Sequence, residues 1–78
     1  MWGRLSQQQK LDGLAYAIRH FRTMRGYTQA QLAERSSISQ PTLSKIEKGG
    51  AAPSFQSLCA LSVGLGMAPS SILLKAGL

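Results

Sequence analysis

Residues 28–49, TQAQLAERSSISQPTLSKIEKG, hold two helix starts and two helix stops in one short stretch, so only a pair of brief helices joined by a tight turn can satisfy them. Thr28 and Gln31 form a capping-box pattern. The hydroxyl can accept from the amide of residue 31, and the glutamine can reach back to the amide of residue 28. Leu32 and Ala33 give the helix an apolar side and Gln29 and Gln31 a polar one, until Ser36-Ser37 dissolves it, which predicts a helix over 29–36. Ile38 is a lone apolar residue placed to plug the space between the two helices, and Ser39 is the natural N-cap of the second. Pro41 then falls in a first helical turn, where its missing N–H had no partner to lose. Beyond it only Leu43 and Ile46 face inward, while Gln40, Thr42, Ser44, Lys45 and Lys48 cover the rest, up to Gly49-Gly50. A helix over about 40–48 with so little apolar surface cannot be buried on most sides.

The remaining sequence surrounds this pair with longer apolar-periodic segments. Ser6 and Gln9 repeat the capping-box pattern, and Leu11, Leu14, Ala15, Ile18 and Phe21 recur at helical spacing, predicting a first helix from about 7 to 25, closed by Gly26. Tyr27, just before the N-cap Thr28, is placed as a hydrophobic staple. Pro53-Ser54 opens a fourth helix in which Phe55, Leu58, Cys59, Leu61 and Ser62 repeat with a helical period, weakened at its end by Gly64 and Gly66. A fifth begins near Ser70, after Pro69, with Ile72, Leu73 and Leu74 as its apolar content. Nothing alternates convincingly as a strand. The expectation is an all-α, compact five-helix domain spanning 1–78, with residues 1–6 a flexible N-terminus. A chain of 78 residues builds a small core, and a dimer would add buried area.

Charge divides the sequence in two. Nine Lys and Arg against three acids give a net +6, and of the nine only Lys75 lies beyond Gly49. A basic front half suits a polyanion and a neutral, apolar back half suits packing or self-association. The single Cys59 permits no internal disulfide and reads as a small buried hydrophobe in a reducing cytoplasm. No apolar run long enough for a membrane span occurs, and MWGRLSQQQK lacks the core of a signal peptide, so the expectation is a cytoplasmic, soluble chain. One His, one Cys, one Asp and two Glu offer neither a catalytic triad nor a metal-ligand cluster, which argues against an enzyme and against any cofactor.

The two helices of 28–49 are a helix-turn-helix, an arrangement that places its second helix in the major groove of DNA. From Leu14 to Leu74 the chain resembles the Cro/C1-type (XRE-type) family of phage repressors and small bacterial regulators, with a lambda-repressor-like fold. The resemblance is carried by IRHFRTMRGYTQAQLAERS, ISQPTLSKIEKG and PSFQSLCALSVGLGM in this order. It implies that Gln29 meets a DNA phosphate at a helix N-terminus, where free amides and the helix dipole favour anions. It also implies that Gln40, Pro41, Thr42, Ser44 and Lys45 form the exposed reading surface. Glutamine can pair bidentately with adenine and lysine can donate to guanine, so Gln40 and Lys45 are the strongest candidates for base edges. Ser39, Lys48, Arg22 and Arg25 are candidates for phosphate, and Arg22 with Glu47 matches a family salt bridge between the first and third helices.

Two departures stand out. Ser37 occupies a turn position usually filled by glycine, which implies a left-handed serine at a cost on the order of 1 kcal/mol or a different turn. The loop GGAAPS carries no Arg or Lys, so minor-groove reading from it is not expected. Arg4, Lys10, Arg19, Arg25 and Arg35 read first as solvated charges, His20 as a surface residue, Trp2 as part of a disordered terminus, and Tyr16 as packing at the core edge. The function expected is a sequence-specific transcriptional regulator, binding double-stranded DNA as a homodimer on an inverted repeat. Met67, Ile72, Leu73, Leu74 and Leu78 are the candidate dimer contacts, and RNA polymerase or a second protein the candidate further partner. The alternative is an antitoxin or co-regulator whose helix-turn-helix mainly serves protein–protein interaction.

Overall fold

In the computed structural model, which describes residues 4–78, five α-helices follow one another: α1 (Gln7–Met24), α2 (Gln29–Ser36), α3 (Gln40–Glu47), α4 (Phe55–Leu65) and α5 (Pro69–Lys75). The described residues contain no strand, and the fold is all-α. Trp2 lies outside the described residues.

Local chemistry sets the starts. Ser6 Oγ accepts from the Gln9 amide at 3.0 Å while Gln9 Oε1 accepts from the Ser6 amide at 2.8 Å. Thr28 and Gln31 repeat the exchange at 3.1 and 2.8 Å. Ser39 Oγ caps α3 by accepting from the Thr42 amide at 3.2 Å, and Ser54 caps α4 from the Ser57 amide at 3.0 Å. Each cap satisfies an amide that the helix itself cannot. α5 starts at Pro69 itself, one residue earlier than the sequence suggests, because proline at the first helical position needs no donor. α2 ends on Ser37 in the left-handed conformation, φ 55° and ψ 37°, and α4 on Gly66 at φ 71°.

All five helices contribute to one core of Leu14, Ala17, Ile18, Leu32, Ala33, Leu43, Ile46, Leu61, Leu65 and Ile72. Phe21, Tyr27, Ile38, Leu58, Met67 and Leu73 pack against it, which sets Ile38, in the turn, and Tyr27, just ahead of α2, on the same core. Two close approaches depend on glycine. A Cβ on Gly64 would strike Ser36 Oγ and sit 3.3 Å from Leu32 Cδ1, so α4 lies tightly on α2; a Cβ on Gly13 would strike the carbonyl of Ala76, where the end of α5 rests on α1.

Three expectations are corrected by this packing. Ile72, named as a dimer contact, has no exposed surface and closes the monomer core. Phe55 falls in line with the apolar face of α4 but is 79% exposed, because a first-turn side chain tilts back beyond the start of the helix and off the packed surface. Cys59 is half-buried, not the buried hydrophobe expected. Among the described residues no single helix is long and apolar enough to cross a membrane. α4 and α5 would together be long and apolar enough, but they bend by 96° and give Leu61, Leu65 and Ile72 to the core.

Candidate nucleic-acid interface

α3 buries Leu43, Ile46 and Glu47 and exposes Gln40, Pro41, Thr42 and Lys45, with Lys48 exposed just beyond and Ser44 half-buried. At about 100° per residue, Pro41, Lys45 and Lys48 form a crest opposite the buried face, with Gln40 and Ser44 on one flank and Thr42 on the other. The Thr42 flank opens into a groove of about 370 Å³ walled by Pro41, Lys45, Ala52, Pro53 and Ser57. Eight residues of helix therefore offer amide, hydroxyl and ammonium groups outward, as a helix entering a major groove must.

What holds this rod in place is a buried carboxylate. The Glu47 side chain, 1% exposed, accepts from Arg22 Nε at 2.8 Å on Oε2 and from Arg22 Nη2 at 3.0 Å on Oε1. Arg22 Nη1 continues to the Tyr27 carbonyl at 2.9 Å, so the guanidinium ties α1, α3 and the α1–α2 turn together. Gln29 Nε2 donates to Glu47 Oε1 at 3.1 Å, and Arg19 donates to the Glu47 carbonyl. A lone carboxylate near a DNA backbone would repel it; surrounded by these donors, Glu47 leaves the crest with the positive charge of Lys45 and Lys48.

The other proposed contacts are dispersed. Ser39 and Thr42 are exposed, with hydroxyl oxygens 2.7 Å apart at the start of α3. Arg25 donates its Nε to the Leu65 carbonyl, where its charge meets the C-terminal end of α4. Arg35 lies 4.4 Å above the Tyr27 ring in a cation–π contact. His20 stacks on Tyr16 at 5.7 Å and meets the edge of Phe21 at 5.3 Å, a ring cluster on α1 capped by Lys75, 5.8 Å over Tyr16. Of the remaining candidate dimer residues, Leu74 is 79% exposed, and Met67, Leu73 and Leu78 are half-buried. Leu74 joins two shallow hollows, one with Phe21 and Met67 and one with Leu73 and Leu78.

Sequence reasoning missed several contacts, two of which bear on how α3 and the loop after it are held. One is the Gln29–Glu47 bond. The other is Gln8 Nε2, which donates to Asp12 Oδ1 at 2.8 Å and to the Gly49 carbonyl at 3.2 Å, tethering the α3–α4 loop to α1. The Gln29–Glu47 and Gln8–Gly49 bonds link segments far apart in sequence, and no periodicity marks such pairs.

A helix-turn-helix family profile matches residues 18–72, which include α2, the turn and α3. The chain belongs to the Cro/C1-type (XRE-type) helix-turn-helix family. Members of this family are DNA-binding transcription regulators. Among solved structures, this Cro/C1-type chain is similar to the clp gene regulator ClgR from Corynebacterium glutamicum, at 32% identity and TM-score 0.81 over 87% of this chain and 88% of that one. It is similar to the restriction-modification controller protein C.Esp1396I at 26% identity, TM-score 0.78, 88% of this chain and 92% of that one. The controller protein C.AhdI from Aeromonas hydrophila shares its fold at 24% identity and TM-score 0.78, over 80% and 94% of the two chains. No curated protein matches the sequence significantly.

Proposed function

We propose that this family member is a sequence-specific transcriptional regulator that binds double-stranded DNA in the cytoplasm as a homodimer on an inverted repeat. The observation that carries the reading is the uncovered crest of α3, where Pro41, Lys45 and Lys48 project while Glu47 beneath them is neutralised by Arg22. In this reading Gln40 and Lys45 face base edges, with Pro41, Thr42 and Ser44 lining the contact. Ser39 and Lys48 reach phosphates on either side, and the first free amides of α2, at Gln29, receive a third phosphate. Arg22 and Arg25 keep guanidinium N–H groups beyond those bonded to protein, and these would face the backbone.

The dimer places two recognition helices in successive major grooves about 34 Å apart. Its contact is built on Leu74, Leu73, Leu78 and Met67, without Ile72. The controller-type relatives favour a role in tuning gene expression through promoter occupancy. Selection of binding sites from random duplexes tests the reading. An enriched palindrome with fixed half-site spacing is expected, whereas recovery of unrelated sequences at equal affinity would refute sequence-specific recognition.

A further inference from the structure

We propose that Gln8, on α1, is a positioning residue for base readout: it pins the peptide unit between Gly49 and Gly50, against which the Lys45 side chain rests. The inference rests on the reading of Lys45 as a base contact and adds to it a residue outside the helix-turn-helix.

The acceptors define the clamp. Gln8 Nε2 lies 2.8 Å from Asp12 Oδ1 and 3.2 Å from the Gly49 carbonyl oxygen. Both partners only accept, so the side-chain NH₂ faces them and gives one N–H to each. The same peptide unit is held at its other end, where the Gly50 amide donates to the Lys45 carbonyl at 3.0 Å. Gly49 is buried at φ 73°, and a Cβ there would sit 2.6 Å from Asp12 Oδ1 and 3.3 Å from Gln8 Nε2. Two consecutive glycines make a permissive backbone. Fixing the carbonyl of the first and the amide of the second settles the orientation of the plane between them.

What that plane supports is Lys45. A Cβ on Gly50 would sit 3.3 Å from Lys45 Cγ, so the bare Cα of Gly50 is the wall along which the lysine stem lies. Elsewhere Lys45 is exposed and borders the open groove of about 370 Å³. A lysine without a wall samples many rotamers and must give them up to meet a base; one resting on a fixed turn has fewer to lose. A swinging ammonium still attracts a phosphate as a point charge, whereas a base edge accepts only within narrow hydrogen-bond geometry. Gln8 and Asp12 are themselves exposed, so water replaces the bonds lost when the clamp is cut, and the loss falls on the direction of Lys45 and not on the fold.

The experiment measures binding of the full chain, Gln8→Met, Lys45→Ala and the double variant to two duplexes: the selected one, and one altered at the base pair whose preference Lys45→Ala removes. Gln8→Met keeps the length of the side chain and deletes the donor. We expect it to lower the preference for the correct base pair about three- to fivefold, the order of one neutral hydrogen bond, with Tm and binding to the altered duplex unchanged. In the Lys45→Ala background Gln8→Met should have no further effect, an outcome that a merely structural role would not produce. Gly50→Ala, at a position without positive φ, crowds Lys45 Cγ while leaving the clamp intact, and it should reduce the same preference. Equal losses on both duplexes for Gln8→Met, an unchanged preference, or an effect that persists in the Lys45→Ala background would overturn the proposal. Were Lys45→Ala itself to weaken every duplex equally, the reading of Lys45 as a base contact would fall, and this inference with it. Selective loss for Lys45→Ala beside an unaltered Gln8→Met removes this inference alone.

Discussion

Replacing Arg22 with alanine strips Glu47 of its charge partner and two of its three side-chain hydrogen bonds. The carboxylate remains 1% exposed and keeps only the 3.1 Å bond from Gln29. The Tyr27 carbonyl loses its 2.9 Å donor as well. Breaking one side of a buried pair costs about 3 to 5 kcal/mol, because the surviving charge is left desolvated. A chain of 78 residues has a total stability on the order of 4 to 12 kcal/mol, so Arg22→Ala should bring the domain close to unfolding. Urea titration followed by circular dichroism should show the free energy of unfolding falling by about 3 to 5 kcal/mol with the m-value unchanged. The double replacement Arg22→Met with Glu47→Leu removes the stranded charge and should recover stability to within about 1 kcal/mol of the parent. A loss below about 1 kcal/mol for Arg22→Ala, or a double variant as unstable as the single one, would refute the reasoning that an uncompensated carboxylate is the cause.

Other perturbations probe the packing and the surface. Ser36 Oγ is buried without a hydrogen-bond partner, so Ser36→Ala should stabilise by about 1 kcal/mol and raise Tm by roughly 4 to 8 °C; a lower Tm would show that the hydroxyl is satisfied. Ser37→Gly relieves the left-handed serine at φ 55° and should add about 0.5 to 1 kcal/mol in thermal unfolding, with no gain if the turn is unstrained. Leu74→Lys changes a residue that is 79% exposed, so the fold should persist while sedimentation reports monomer; an unchanged dimer would move the interface elsewhere.

The helices were legible because their signals are local. Ser6 with Gln9, Thr28 with Gln31, Ser39 before Pro41, and Gly66 after Leu65 act within one turn of chain, and each cap forms as the sequence implies. The exposed crest was legible for the same reason, since Leu43 and Ile46 alone define an inward face on α3. What escaped depends on which helix lies against which. Phe55 and Ile72 look alike in apolar content, yet one protrudes and the other closes the core, because only the docking of α4 and α5 decides it. The close approach at Gly64 buries the hydroxyl of Ser36, a residue that sequence alone reads only as a helix stop. Glu47 was placed by resemblance and not by pattern, and its bond from Gln29 joins two polar residues whose meeting has no periodic trace.

The most direct measurement repeats the binding-site selection with Lys45→Ala and Gln40→Ala. If α3 reads bases through its crest and flank, each variant should lose preference at one position per half-site, weakening the matched duplex by about 1 to 3 kcal/mol and leaving the other positions intact. Selected sequences identical to those of the unmodified chain, with affinity lowered equally on every duplex, would contradict the account and reduce both side chains to phosphate contacts.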